Sequence, residues 1–461
     1  MPDTKKIATV PDLDANIQKL TDTIERLHRR GAVRPLRRIM TKLHPADLAA
    51  VLGVLPEGYV TPIFKTIVDA QQAGDVFVEL VPRVRDILLE EIPLAQLGKI
   101  FEQLPPDELT DLVQHLPPEN AEQMKALLEQ ESKQELEDLL QYSHDTAGGI
   151  MTTDFFALGE SVSIQEAIRD VRQHYDVEMV FYLYVTDSEG HLKGVVSMRQ
   201  LLLADPDQPL STIMNTRIIS VHTDTPQQQV ASLVDKYQLL GIPVVNSDNI
   251  LVGMVTIDDV IEVIETQTTR HMLQMAGTYE SETQTNSALR IAAIRLPWLF
   301  AAFAGGLLAT TVIQRFEPIL VQVLALSAFL PVVMGMAGNV GVQTATVAVR
   351  SLATGALELN RAGAVLLKEL RVGMLLGVAY GVLLAAFGWF FFEDIRLAEV
   401  VGLTLLVNMT GAALLAMVLP LTFFRLGADP AIATGPFVTT AIDILGVLNY
   451  FLIASAIFEL A

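Results

Sequence analysis

The chain has 461 residues, 51% of them hydrophobic, a formal net charge of −21 and no cysteine. Without cysteine there are no disulfides, thiolate zinc sites or cysteine nucleophiles, and the acidic balance argues against nucleic acid as a partner. Of the 32 Lys and Arg only 8, and of the 53 Asp and Glu only 9, lie from Ile291 onward, so an acidic soluble region precedes an apolar one.

The first residues, "MPDTKKIATVPDLDANIQKL", lack an apolar run and a small-residue cleavage site. The soluble part is therefore expected in the cytoplasm, with the first membrane span acting as the insertion signal. Residues 1–143 read as a helical array. Phrases such as "LHPADLAAVLGVLPEG" combine an acidic or Pro-containing helix start, apolar residues at helical spacing and a closing Leu-Pro. Leu104-Pro105 and Leu116-Pro117 mark successive short helices, because proline suits a first turn and breaks an interior. The expected result is an all-α superhelical domain for packing or interaction.

A duplicated unit follows, over 144–207 and 208–266. "IMTTDFFAL" at Ile150 returns as "IMNTRIISV" at Ile213, and "LKGVVSMRQLL" at Leu192 returns as "LVGMVTIDDVI" at Leu251. Each half reads strand–helix–strand–turn–strand–helix. The halves resemble a tandem pair of CBS domains, α/β modules that often bind nucleotides and regulate an attached protein. That resemblance implies a nucleotide such as ATP near the phrase G-h-h-S/T-x-x-D. The second copy keeps it as Gly253, Thr256 and Asp259; the first has Ser197 but carries Gln200 at the Asp position.

Residues 267–290 are expected to form a connecting, plug-like helix. Just before it, "TIDDVIEVIET" supplies Asp258, Asp259, Glu262 and Glu265. Asp258, Glu262 and Glu265 share a helical face, where a divalent cation would relieve their repulsion; the alternative is a solvated acidic helix.

Five apolar stretches are long enough to span a bilayer: Ile291–Ile313, Pro318–Ala337, Val372–Phe392, Leu397–Leu419 and Thr434–Phe458. The connections assigned to the cytoplasm carry Arg350, Arg361, Lys368, Arg371 and Arg425, against Arg315 and Arg396 outside, as the positive-inside tendency requires. The C-terminus is then extracytoplasmic. All eight histidines lie between His28 and His271, so a cation handled in the spans meets only oxygen donors. That favours hard ions such as Mg²⁺.

Asp443 is the only acidic residue deep within these stretches, at a cost of roughly 2.5–3.5 kcal/mol on insertion scales. Around it, Gly435, Pro436, Thr439, Thr440 and Gly446 offer hydroxyls and loosened backbone carbonyls. One carboxylate per subunit would suffice for a hydrated ion. The competing structural reading bonds Asp443 to Asn408 or Thr410. Asn339 and Gln343, in "GMAGNVGVQ", offer amide oxygens to a pore or bonds between helices. Asp429 stands either at a pore mouth or as a helix cap.

The order of helical array, CBS pair, connecting segment and five spans resembles the MgtE-type magnesium channels and transporters. The most specific phrases are "TAGGIMTTDF" (146–155), "FLPVVMGMAGNVGVQTATVAVRSLATG" (329–355) and "DPAIATGPFVTTAIDILG" (429–446). The resemblance implies a homodimer in the lipid of the cytoplasmic membrane, importing Mg²⁺ and closing when cytosolic Mg²⁺ is replete. It implies that Asp443 is the pore aspartate; Asn339, Gly435 and Thr439 are the further oxygen donors expected at the pore. It also implies that Asp259 and Glu262 are acidic sensor positions. Arg270, His271 and Val342 depart from the family pattern. Other readings are a broader importer of Co²⁺, Mn²⁺ or Ni²⁺, and a membrane-anchored CBS nucleotide sensor. An enzyme is not expected, since the spans contain no His and the chain no H-E-x-x-H.

Overall fold

The structure, a computed structural model, describes residues 13–173, 181–282, 287–353, 362–433 and 435–459. The first twelve residues, Arg361 and Thr434 lie outside these. The chain divides into two compact units, Met1–Ile264 and Glu265–Ala461.

The first unit opens with ten short helices: α1 (Leu13–Arg29), α2 (Val33–Met40), α3 (Pro45–Val54), α4 (Glu57–Phe64), α5 (Ala70–Val78), α6 (Pro82–Glu91), α7 (Leu94–Phe101), α8 (Pro106–His115), α9 (Pro118–Lys125) and α10 (Gln130–Leu139). Proline occupies the first turn of α3, α6, α8 and α9, where its missing N–H costs nothing. All but α1 are too short to be stable alone; together they bury a continuous apolar core. Phe77 anchors that core edge-on between Phe64 and Phe101, at ring distances of 6.2 and 5.1 Å.

The duplicated unit then appears as two sheets of one design. β1 (Ala157–Gly159) runs parallel to β2 (Tyr182–Thr186), which pairs antiparallel with β3 (Leu192–Ser197). β4 (Val221–His222), β5 (Gly241–Val245) and β6 (Leu251–Thr256) repeat that order. Even the register shift recurs, at Val185/Thr186 and at Val244/Val245. Helices α11 (Ile164–Gln173), α12 (Met198–Leu203), α13 (Gln227–Tyr237) and α14 (Ile257–Met275) complete the pair. The repeated phrases are exchanged between the halves. Thr152 bonds β6 through Met254, at 2.8 and 3.0 Å, and Asn215 bonds β3 through Val195, at 2.9 and 3.1 Å. The all-α array and the α/β pair expected from sequence are both present.

Among the described residues of the second unit, five helices are long and apolar enough to cross a membrane: α15 (Ala288–Arg315), α17 (Ala325–Ala353), α18 (Ala362–Phe392), α19 (Ile395–Arg425) and α20 (Pro436–Phe458), with the short α16 (Glu317–Gln322) between the first two. The second span is displaced from its expected position at Pro318–Ala337. Pro318 starts only α16, and the chain bends at Val323 before α17 begins. "GMAGNVGVQ" consequently lies in mid-helix. Helices α18 and α19 form a tight hairpin: a Cβ on Gly381 would lie 2.7 Å from the Gly402 carbonyl oxygen, the close approach that small residues permit in membranes.

The stretch 267–290 is not one helix. α14 starts at Ile257 and ends at Met275, Gly277 turns the chain at φ 78°, and a 3₁₀ turn follows at Glu280–Glu282.

Candidate cation sites

Helix α20 starts on Gly435 and Pro436 and packs against α15, α17 and α19. Two of these contacts need glycine. A Cβ on Gly305 of α15 would lie 1.9 Å from Thr440 Cγ2, and one on Gly341 of α17 would lie 2.2 Å from Ile442 Cδ1. Against α19, Asn408 Nδ2 donates to the Gly446 carbonyl at 3.0 Å and Asn408 Oδ1 accepts from Asn449 Nδ2 at 3.2 Å.

Asp443 lies about two turns from the start of α20 and is half-buried. Its spacing puts it on the face of Thr439 and Tyr450, away from the exposed Phe437, Leu445 and Leu452. Among the described residues no hydrogen bond or ion pair reaches its carboxylate. Asn408 is engaged as above, and Thr410 Oγ1 donates to the Leu406 carbonyl at 2.7 Å. Neither acts as the structural partner considered from sequence.

The backbone around Asp443 is more regular than its glycines and proline suggested. The Thr439 hydroxyl donates to the carbonyls of Gly435 and Pro436, at 3.2 and 3.3 Å. Asn339 is exposed, together with Gly335, Val342 and Gln343, whereas Ala337 and Gly341 of the same helix are buried and Gly341 meets α20. Asn339 thus lies on the side of α17 away from the Gly341 contact with α20. Asp429 Oδ1 accepts from Ala431 N at 2.8 Å, capping the 3₁₀ turn Pro430–Ala433.

The end of α14 sits at the start of α20. A Cβ on Gly435 would be 3.5 Å from the Met275 carbonyl oxygen and 3.7 Å from that of Gln274. Aromatic rings continue the contact from Tyr279 to Trp298, Phe437 and Phe423, with centroids 5.7, 6.4 and 6.1 Å apart in turn. Glu282 receives Arg295 Nε at 3.0 Å and the Thr278 hydroxyl. Arg295 above all, then Thr278, hold its carboxyl down at about 2.

A second site lies in the first unit, where α8 meets the start of α14. Asp107, Glu108 and Asp111 of α8 face Asp259 and Glu262 of α14. Burial is the largest influence on three of these groups. It pushes Asp107 up to about 6, with repulsion from Asp111 and relief from backbone N–H groups and Thr152. It pushes Glu108 up to about 8, aided by Asp107, Asp111, Glu262 and Asp259. It pushes Asp259 up to about 7, aided by Asp107 and opposed by the Thr256 hydroxyl, which donates to it. Asp107 Oδ1 is buried without a hydrogen-bond partner among the described residues. His144 Nε2 lies 3.5 Å from Asp111 Oδ1.

The donor set is therefore all oxygen apart from one imidazole, as a hard cation requires. Among the described residues no three such side chains are already closed into a metal-binding geometry. Of the four expected sensor residues, Asp259 and Glu262 enter this cluster. Asp258, Glu262 and Glu265 are all exposed, Asp258 adding its repulsion to Asp259, and Arg270 and His271 lie farther along α14. The α8 carboxylates were missed, although "PPDELTDL" spaces Asp107 and Asp111 one turn apart behind a proline start.

The expected nucleotide residues separate. Thr256 and Asp259 bond each other in the acidic cluster. Ser197 caps α12 in a reciprocal box with Gln200, and both line a cavity of about 300 Å³ with Tyr182, Tyr184, Arg217 and Tyr237. The Tyr184 hydroxyl is buried there without a partner among the described residues.

Comparison with known proteins agrees with this layout. The profile of the MgtE divalent cation transporters matches residues 330–453, that of the MgtE intracellular N domain 43–145, and that of the CBS domain 147–207 and 210–266. The magnesium transporter MgtE of Thermus thermophilus is 37% identical over 322 residues, 69% of this chain and 71% of that protein. The magnesium transporter MgtE of Bacillus subtilis is 30% identical over 431 residues, 93% and 95% of the two chains. The crystal structure of the cytosolic domain of the Mg²⁺ channel MgtE in complex with ATP has 34% identity and a TM-score of 0.51, covering 53% of this chain and 99% of that one. A five-helix membrane unit joined to such a soluble part makes this a multi-pass membrane protein, and the chain belongs to the MgtE family of divalent cation transporters.

Proposed function

We propose that two copies of this chain form a magnesium channel that admits Mg²⁺ into the cytoplasm and closes when cytosolic Mg²⁺ is replete. Asp443 carries the reading: an inward-turned carboxylate on an apolar helix, without a partner among the described residues. A purely structural Asp at that depth would be bonded, because its desolvation otherwise goes uncompensated. Relatives named as magnesium transporters support Mg²⁺ as the cargo.

Where the two copies meet, two Asp443 carboxylates would face a hydrated ion, with Thr439 and the Gly435 carbonyl toward the cytoplasmic end and Asp429 at the mouth. Mg²⁺ gives up water reluctantly, so contact through water suffices. The membrane potential draws the ion inward at about 2.3 kcal/mol per charge per 100 mV. The soluble unit and the N-terminus are cytoplasmic, and the C-terminus is outside.

Closure would begin at the acidic cluster. The carboxylates of Asp107, Glu108, Asp259 and Glu262 repel one another when ionised, and a shared divalent cation would draw α8 and α14 together. The far end of α14 rests on Gly435, so its position bears directly on the start of α20. The cavity beside Ser197 would take a nucleotide such as ATP, as the ATP-bound structure of the similar cytosolic domain supports.

The test is cation uptake by liposomes holding the purified protein under an imposed potential, with Mg²⁺, Co²⁺, Mn²⁺ and Ni²⁺ supplied in turn. Uptake of Mg²⁺ in preference to the others supports the reading. Equal uptake of all four makes the protein a general divalent importer, and no uptake of any ion returns it to a membrane-anchored sensor.

A further inference from the structure

One strongly basic face stands out on this acidic chain. Between residues 26 and 42 lie Arg26, Arg29, Arg30, Arg34, Arg37, Arg38 and Lys42, and no Asp or Glu occurs from 26 to 46. The segment precedes residue 43, where the match to the MgtE N domain begins, so it is not part of what that match covers.

The structure gathers these charges at the end of α1 and along α2. Leu36 and Met40 are buried beneath α2, and Arg34, Arg37 and Arg38 are exposed. Arg34, Pro35, Arg38, Ile39, Lys42 and Leu43 line an open groove of about 570 Å³. Arg29 pairs with Glu25 and lies 5.7 Å from the Tyr59 ring centroid. Arg30, Arg34, Arg37, Arg38 and Lys42 have neither an acidic partner nor a side-chain hydrogen bond among the described residues. Val33 is 47% exposed in their midst.

We propose that this basic face docks on the anionic headgroups of the cytoplasmic membrane leaflet. Unpaired guanidinium forks match phosphate oxygens, and a cluster of four to eight Lys and Arg is the usual signature of attraction to an anionic leaflet. Five apolar helices hold the chain in the bilayer, so headgroups are present at high effective concentration and individually weak contacts suffice. The carboxylate-rich remainder of the soluble part is repelled by the same surface, which selects the basic face for contact. A soluble polyanion such as RNA has the complementary charge but not the tether.

The absence of native cysteine allows a clean test. Full-length protein with Val33→Cys, in nanodiscs of phosphatidylcholine alone or with phosphatidylglycerol added, is reacted with a charge-neutral, water-soluble thiol reagent. The expected result is modification about tenfold slower with the anionic lipid. High salt and the triple variant Arg34→Gln/Arg37→Gln/Arg38→Gln should both abolish the protection, while Arg34→Lys/Arg37→Lys/Arg38→Lys keeps it. Equal rates in the two lipids, or protection that survives the Gln variant, would overturn the proposal. Protection by added RNA but not by anionic lipid would overturn it in favour of a nucleic-acid partner.

Discussion

The Asn408 side chain donates to the Gly446 carbonyl at 3.0 Å and accepts from Asn449 at 3.2 Å, so this buried amide joins α19 to α20 and leaves Asp443 to itself. Removing it should act on stability rather than on ion choice. Asn408→Ala is expected to cost about 1–3 kcal/mol through the broken buried bonds. Thermal unfolding in detergent would register the loss, while the order of preference among divalent ions stays unchanged.

The two close approaches onto α20 should respond unequally to added bulk. Gly305→Ala drives a methyl into Thr440, whose β-branched side chain has little χ1 freedom. Gly341→Ala meets only the terminal Cδ1 of Ile442, which can rotate away. Overpacking costs typically about 1–3 kcal/mol, and Gly305→Ala should fall at the upper end with Gly341→Ala below it. Melting temperatures of the two variants in the same detergent give the order; the reverse order would mean that α15 and α20 are less tightly apposed than described.

The acidic cluster gives the soluble unit a pH dependence with a defined sign. Asp107, Glu108 and Asp259 lie near 6, 8 and 7 in the folded protein, above the ordinary 3.8 and 4.5 of free carboxyls. A raised carboxyl supports the folded state fully below its unfolded value, and that support is lost as pH rises through the folded value. In chelator, the unfolding temperature of the soluble unit should therefore fall between about pH 5 and pH 8, by roughly 5 °C or more. Added Mg²⁺ should restore more of it at pH 8 than at pH 5.

Glu108→Gln removes one charge from that cluster. In chelator at pH 8 the variant should melt higher than the parent, because repulsion falls. Its gain on adding Mg²⁺ should shrink. An undiminished Mg²⁺ gain would place the stabilising ion elsewhere.

Much of this was legible in the sequence because it is local or repeated. Leu-Pro punctuation announced the short helices of residues 1–143, and duplicated phrases announced the two matching sheets. Charge asymmetry separated the soluble and membrane regions. Long-range placement was not legible. Asp107 and Asp259 are far apart in the chain and come within electrostatic reach of each other only through the fold. The face that Asn339 presents was equally hidden: only the burial of Ala337 and Gly341 shows that it lies away from the α17 contact with α20. The second long helix begins later than its expected start because Pro318 opens only the short α16, and it runs on through the glycines from Gly335 that signal an end.

Selection of the ion by Asp443, as proposed, is open to one substitution, Asp443→Asn, which removes the charge with almost no change of shape. Mg²⁺ uptake under an imposed potential is measured in liposomes holding either protein, with matched insertion and melting temperature. The account predicts that uptake collapses in the Asn variant. Undiminished uptake would contradict it and make the carboxylate structural.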